Sequence, residues 1–136
     1  WEHFPHDADM GIRGIGPTPA QSFAQAALAM TAVVTDIALV DPRVHVVVEC
    51  EAAELEDLFF DWLDALIFEM STRRMLFSRF DVDIEGCHLR ALLSGEPVDR
   101  QKHEPAVEIK GPTQTELRVI HDAKSGEWTS QCVVDV

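Results

Sequence analysis

Two acids stand where their position could do chemistry, Asp9 and Asp135. The first lies in His6-Asp7-Ala8-Asp9-Met10-Gly11-Ile12-Arg13 and the second in Val133-Val134-Asp135-Val136. A β-branched run leading into an acid reads as a strand end. If the first and last strands lie side by side, Asp9, Asp135 and the terminal carboxylate of Val136 converge. Hard oxygens gathered in one place suit a hard divalent cation, calcium or magnesium. The alternative is that both acids are simply solvated at strand ends. His6 beside Asp7 and Asp9 offers a second chemistry, an imidazole oriented by a carboxylate for acid/base work. That would make a metal-dependent hydrolase centred on His6 and Asp9. No Ser or Cys nucleophile can be matched to it by spacing, since a triad is recognised by geometry. His6 is therefore expected to hold a turn by hydrogen bonding or to support a nearby carboxylate.

Other candidates are weaker. His103-Glu104 falls in a polar stretch, and loops carry more than their share of functional groups. The competing expectation is an exposed loop tip. Gly11, Gly14 and Gly16 precede Pro17 and lack a Walker lysine, so no phosphate-cradling loop is present. Cys50, Cys87 and Cys132 have no metal-ligand spacing and read as small apolar core residues in a reducing compartment.

The elements that must position these residues are legible from periodicity. Ile12 to Gly16 reads as the end of a first strand. Thr18-Pro19 is a helix start, Thr as N-cap and Pro at the first helical position. Phe23, Ala27, Met30 and Val34 recur at helical spacing, and Thr35-Asp36 ends that helix. Asp41-Pro42 marks a turn. Val44 to Cys50 predicts a strand buried on both faces or nearly so. Glu51 to Arg74 predicts the strongest helix, with Leu55, Leu58, Phe59, Trp62, Leu66 and Met70 in one apolar stripe. Glu54, Asp57, Asp61 and Asp64 line its other face, which is either solvated or offered to a basic partner. Phe77 to Ile84 and His88 to Leu93 alternate as strands around a turn at Glu85-Gly86. Gly95-Glu96-Pro97 is expected to open a polar loop reaching Pro105. Val107 to Lys110, Leu117 to His121 and Trp128 to Val134 complete the strands, with a turn at Lys124-Ser125-Gly126. The order predicts an α+β domain with a mainly antiparallel sheet and two helices.

The totals bound the function. A chain of 136 residues fits one domain with a real core. Its formal net charge of −13 repels phosphate backbones, so direct nucleic-acid binding is not expected. The same charge suits cations or a basic protein surface, and also plain solubility. No apolar run approaches the roughly 18 residues that span a bilayer, so no membrane association is expected. No signal-peptide pattern opens the chain, and a cytoplasmic location is expected. The sequence begins on Trp1 rather than Met, so a few leading residues are expected to be missing.

Taken together the segments resemble the archease family. The resemblance runs through His6-Asp7-Ala8-Asp9-Met10-Gly11-Ile12-Arg13, Ala26-Ala27-Leu28-Ala29-Met30, Thr35-Asp36 and Trp62-Leu63-Asp64-Ala65-Leu66. It continues through Phe77-Ser78-Arg79-Phe80, Gly95-Glu96-Pro97, Lys102-His103-Glu104, Ile109-Lys110 and Val134-Asp135-Val136. It covers essentially the whole chain in order. No single piece is specific, whereas the combination is. Asp7 departs from the family's usual Thr, and Gln114-Thr115 stands where many members have an aromatic residue and a His.

The resemblance implies a fold of one strand-helix-strand-strand module inserted into another, here residues 43–94 within 1–42 and 95–136. It implies a non-enzymatic activator of the GTP-dependent RNA-splicing ligase, which joins 3′-phosphate or cyclic-phosphate RNA ends to 5′-hydroxyl ends. The activator promotes guanylylation and turnover of that ligase in tRNA splicing, and a chaperone-like role has also been attached to the family. The implied metal site is Asp9, Asp135 and Val136, the last through a main-chain oxygen or its carboxylate, with Asp36 as an additional acid. Calcium is the expected ion, with magnesium the alternative. Asp7, His103 and Glu104 are expected partner contacts. A general chaperone or scaffold is the competing expectation.

Overall fold

The computed structural model describes all residues, Trp1 to Val136. The chain opens with a hairpin of β1 (Glu2–His6) and β2 (Asp9–Gly16), turned by Asp7 and Ala8 alone. Asp7 has φ 48, a left-handed conformation that a short polar side chain tolerates. Reading the sequence missed β1, because His3 and Pro5 break the alternation of a strand.

Helix α1 (Pro19–Val34) starts as expected: the Thr18 side chain accepts the Gln21 N–H and Pro19 occupies the first turn. A single 3-10 turn at Ile37–Leu39 follows, then β3 (Val44–Glu51). Helix α2 (Leu55–Arg73) leads into β4 (Met75–Glu85) and β5 (His88–Pro97). A four-residue helix α3 (Arg100–His103) precedes β6 (Gly111–Pro112), β7 (Arg118–His121) and β8 (Trp128–Asp135).

The strands form two antiparallel sheets. One has the order β1-β2-β8, with β6 and β7 both pairing the far edge of β8. The other is β3-β5-β4. Residues 44–97 thus build one sheet with α2, and the segments on either side build the other with α1. Both helices touch both sheets. That position explains why α1 is alanine-rich: Phe23, Ala26, Ala27, Ala29, Met30 and Val34 are all buried, more than one stripe of the helix. Trp62 of α2 packs into the same core and donates its indole N–H to the Phe23 carbonyl at 3.1 Å.

Several expectations are corrected. β3 buries one face only: Val46 and Val48 are inside while Val47 is 52% exposed, because this antiparallel sheet is packed on one face and solvated on the other, as the same alternation in β5 shows. Helix α2 begins at Leu55, since Glu51 still pairs with His88 in the sheet. Val107 to Lys110 forms no strand, although Ile109 is buried and the Lys110 N–H bonds the Asp135 carbonyl at 2.8 Å. Gly95-Glu96-Pro97 ends β5 rather than opening a loop. Gly95 is there for closeness, not for a turn: a Cβ on it would lie 1.9 Å from the Leu76 carbonyl oxygen. The turn at Gly126 forms as expected, with φ 77. Of the cysteines, Cys132 is fully buried and Cys50 and Cys87 are half-buried. Burial pushes the Cys132 thiol up to about 12, so it is inert at neutral pH. No helix is long and apolar enough to cross a membrane.

The seam between α1 and the larger sheet is made by small residues. Gly14 pairs with Ser130, and the Ser130 hydroxyl meets that of Ser22 at 2.7 Å. A Cβ on Gly14 would lie 2.1 Å from the Ser22 carbonyl oxygen and 2.2 Å from the Ala26 nitrogen. Both are helix backbone and cannot swing aside. Gly14→Ala is therefore expected to destabilise the fold by about 3 kcal/mol, as overpacking does. Urea unfolding checks this: an unchanged midpoint would show that α1 does not rest on β2 this closely.

Candidate functional site

The first and last strands do meet. β2 pairs with β8 from Met10↔Val134 to Gly16↔Trp128. Continued one step outward, that register sets Asp9 beside Asp135. The Val136 N–H points to Asp9 Oδ1 at 3.5 Å, the outer limit of a hydrogen bond. On the other side of β8, Gly111 pairs with Asp135. The Asp135 side chain is exposed and Asp9 is half-buried. Asp9, Asp135 and Val136 are thus brought to one edge of the larger sheet, where the hairpin turn of β1–β2 also lies.

His6 is the cross-strand partner of Asp9. Its Nδ1 is buried and makes no hydrogen bond, and Asp7 Oδ2 is 4.0 Å away. The turn-holding hydrogen bond expected of His6 is therefore not made by that nitrogen, nor is a hydroxyl or thiol joined to it. A buried polar atom without a partner is uncommon, and this one sits within the acidic edge. With the ring proton on Nε2, the unused Nδ1 lone pair would accept from a water carried by a cation at this edge. No three side chains among His, Cys, Asp and Glu form a metal cluster by themselves. A cation here would draw on the two aspartates together with main-chain oxygen and water, the donor set of calcium or magnesium.

Asp36 does not join this edge by any hydrogen bond. Its Oδ1 accepts the Ala38 N–H at 3.0 Å and caps the 3-10 turn. Asp7 projects fully into solvent at the hairpin tip. Glu104 is exposed, in a left-handed conformation that ends α3.

His103 is not at an exposed loop tip. It is 1% exposed and lies against Glu96, itself 3% exposed. The His103 Nδ1 accepts the Asp99 N–H at 2.9 Å, which puts the ring proton on Nε2. Nε2 then donates to Glu96 Oε2 at 2.9 Å. The same oxygen accepts from Lys102 Nζ at 2.7 Å and the Asp41 N–H at 2.9 Å. Arg43 Nε donates to Oε1 at 3.2 Å. Lys102, foremost among these donors, and the Asp41 N–H hold the Glu96 carboxyl far below its ordinary value. Lys102 is correspondingly raised by Asp41 and Glu96. A buried histidine presents nothing to a partner, so His103 acts inside the molecule. Its main-chain carbonyl also accepts from the Thr35 hydroxyl at the end of α1.

This cluster escaped sequence reading because Gly95 and Pro97 look like loop punctuation. Two signals were available. The alternation Leu89, Ala91, Leu93 carries on to Gly95, and Asp99 is an N-cap whose carboxylate accepts the Gln101 and Lys102 N–H groups.

The model of the Archease protein family (MTH1598/TM1083) matches residues 1–136. The chain belongs to the archease family. It is 35% identical over 140 residues to protein archease of Pyrococcus furiosus, covering 100% of this chain and 98% of that one. It is 34% identical to the Methanopyrus kandleri protein archease, with 100% and 99% covered. The solution structure of Methanobacterium thermoautotrophicum protein 1598 superposes with a TM-score of 0.87 at 32% identity, covering 99% of this chain and 97% of that one. The crystal structure of the Thermotoga maritima archease, described as a possible chaperone, shares the fold with a TM-score of 0.65 at 19% identity. It covers 100% of this chain and 97% of that one.

The buried carboxylate gives a pH test. The folded-state pKa of Glu96 is depressed, so its stabilisation is complete above its ordinary value of 4.5. It is lost as pH falls from there towards the folded-state pKa. The Tm of Glu96→Gln is expected to lie below that of the parent chain at pH 7, with the gap narrowing progressively as pH falls below 4.5. A gap independent of pH would mean that charge at Glu96 contributes nothing.

Proposed function

We propose that this chain is a non-enzymatic activator of a GTP-dependent RNA-splicing ligase, acting from its acidic edge. The observation that carries this reading is the meeting of Asp9 with the Asp135–Val136 end in a chain of the archease family. On this reading Asp9, Asp135 and a main-chain oxygen of Val136 hold a divalent cation, calcium ahead of magnesium. When bound, the ion supplies a positive centre on an otherwise negative surface. Asp7, exposed at the hairpin tip, and Glu104 supply contacts to the basic surface of the ligase. An activator of this kind works by binding the guanylylation-competent state of the ligase more tightly than its resting state. The net charge of −13 favours docking on a surface built for RNA and disfavours RNA itself. The setting is cytoplasmic tRNA splicing.

The chaperone reading rests on exposed apolar side chains. Phe68, Val47, Trp1 and Ile120 are the most exposed of these, and they sit on α2, on β3, ahead of β1 and on β7. Scattered exposure of this kind is ordinary for a soluble domain and favours the activator.

Asp9→Asn and Asp135→Asn test the reading. Asn at position 9 keeps an acceptor for the Val136 N–H while removing the charge. Each variant is expected to lose roughly tenfold or more of calcium affinity and of ligase guanylylation, at an unchanged Tm. Folded variants that stimulate the ligase fully would remove the site from the mechanism. Protection of unrelated proteins from aggregation, unaffected by these changes, would favour the chaperone.

A further inference from the structure

The structure holds an open cavity of about 630 Å³ whose lining includes none of Asp9, Asp135 and Val136. It opens where the end of α2 meets the segment 105–109 that follows α3. Its apolar lining includes Val34, Ile67, Met75, Leu76 and Ile109, all buried, with the flexible Met70 beside them. Val98 and Val107 stand exposed at the rim. No aromatic side chain lines it. A nucleobase or other flat ring would find nothing to stack on, whereas an aliphatic chain finds matching walls.

Three charged residues line the cavity, Arg74, Arg100 and Glu108. The two arginines are unlike the others in the chain. Arg13, Arg43, Arg73, Arg79, Arg90 and Arg118 each have a carboxylate at ion-pair distance. Arg74 and Arg100 have none. With 24 acidic residues against 11 basic ones, an arginine without an acid runs against composition. Arg74 caps the C-terminal end of α2, which accounts for a cation there but not for its lack of a carboxylate. Its position is fixed: its N–H bonds the Met70 carbonyl and its own carbonyl accepts the Val98 N–H at 2.9 Å. Two guanidinium groups at an aliphatic cavity match an anionic head on an aliphatic body.

We propose that this cavity binds an aliphatic carboxylate, with the chain against Ile67, Met75 and Leu76 and the head held by Arg74 and Arg100. The inference is independent of the metal edge and of any ligase. Glu108 on the wall disfavours a second negative group and selects a singly charged head.

Decanoate, kept below its micelle concentration, is the probe, with the full chain labelled at its methionine methyl groups. Saturable shifts of Met70 and Met75 are expected, leaving Met10 and Met30 unmoved. Decanol and decyltrimethylammonium are expected to bind at least roughly tenfold more weakly, and Arg74→Gln/Arg100→Gln to weaken decanoate by a similar factor. Both arginines are exposed, so the double variant keeps the fold. Absence of saturable shifts, equal binding of decanol, or undiminished binding by the double variant would each overturn the proposal.

Discussion

The pairing of β2 with β8 is the constraint on which the rest depends. It runs unbroken over seven register positions and crosses 118 residues of sequence at Arg13 and Gln131, whose side chains also bond at 2.8 Å. Everything between must leave from one of these strands and return to the other. The hairpin partner β1 extends the sheet on one side, and β6 and β7 share the other edge of β8. With its strands fixed, the sheet accepts α1 only because Gly14, Ser22, Ser130 and Ala26 are small enough at the crossing. The acidic edge is a by-product of the same register. Asp9 and Asp135 meet because each lies at the outer end of its strand.

Much of the scaffold was legible because its signals are local. Thr18-Pro19 carries its own capping chemistry, the α2 stripe repeats over five turns, and the turns at Gly86 and Gly126 announce themselves. The convergence of Asp9 with Asp135 was legible only as a condition, since no local rule states which strands pair. The strand β1 was invisible because His3 and Pro5 do not look like strand residues. His3 is in fact used across the layer, with its Nε2 2.7 Å from the Ala29 carbonyl oxygen of α1. Asp36 looked like a member of the site because it follows a motif, yet its carboxylate is spent on capping.

His103 shows the opposite failure. A histidine between a lysine and a glutamate, in a polar stretch after a proline, has every local mark of exposure. It is buried because Glu96 is buried, and Glu96 is tolerated because four donors from two chain segments surround it. A buried carboxylate of this kind is stable only while each donor stays in place. Burial of this pair is a tertiary fact, and composition carries no trace of it.

That arrangement has a consequence for motion. The loop at Asp41–Arg43 and the end of α3 both donate to the one carboxylate that the end of β5 carries, and the His103 carbonyl in turn accepts from Thr35 at the end of α1. Neither the loop nor α3 can open alone without removing donors from a charge in a dry interior. They must exchange their amide hydrogens as a single cooperative unit, at rates set together rather than by the local exposure of each segment.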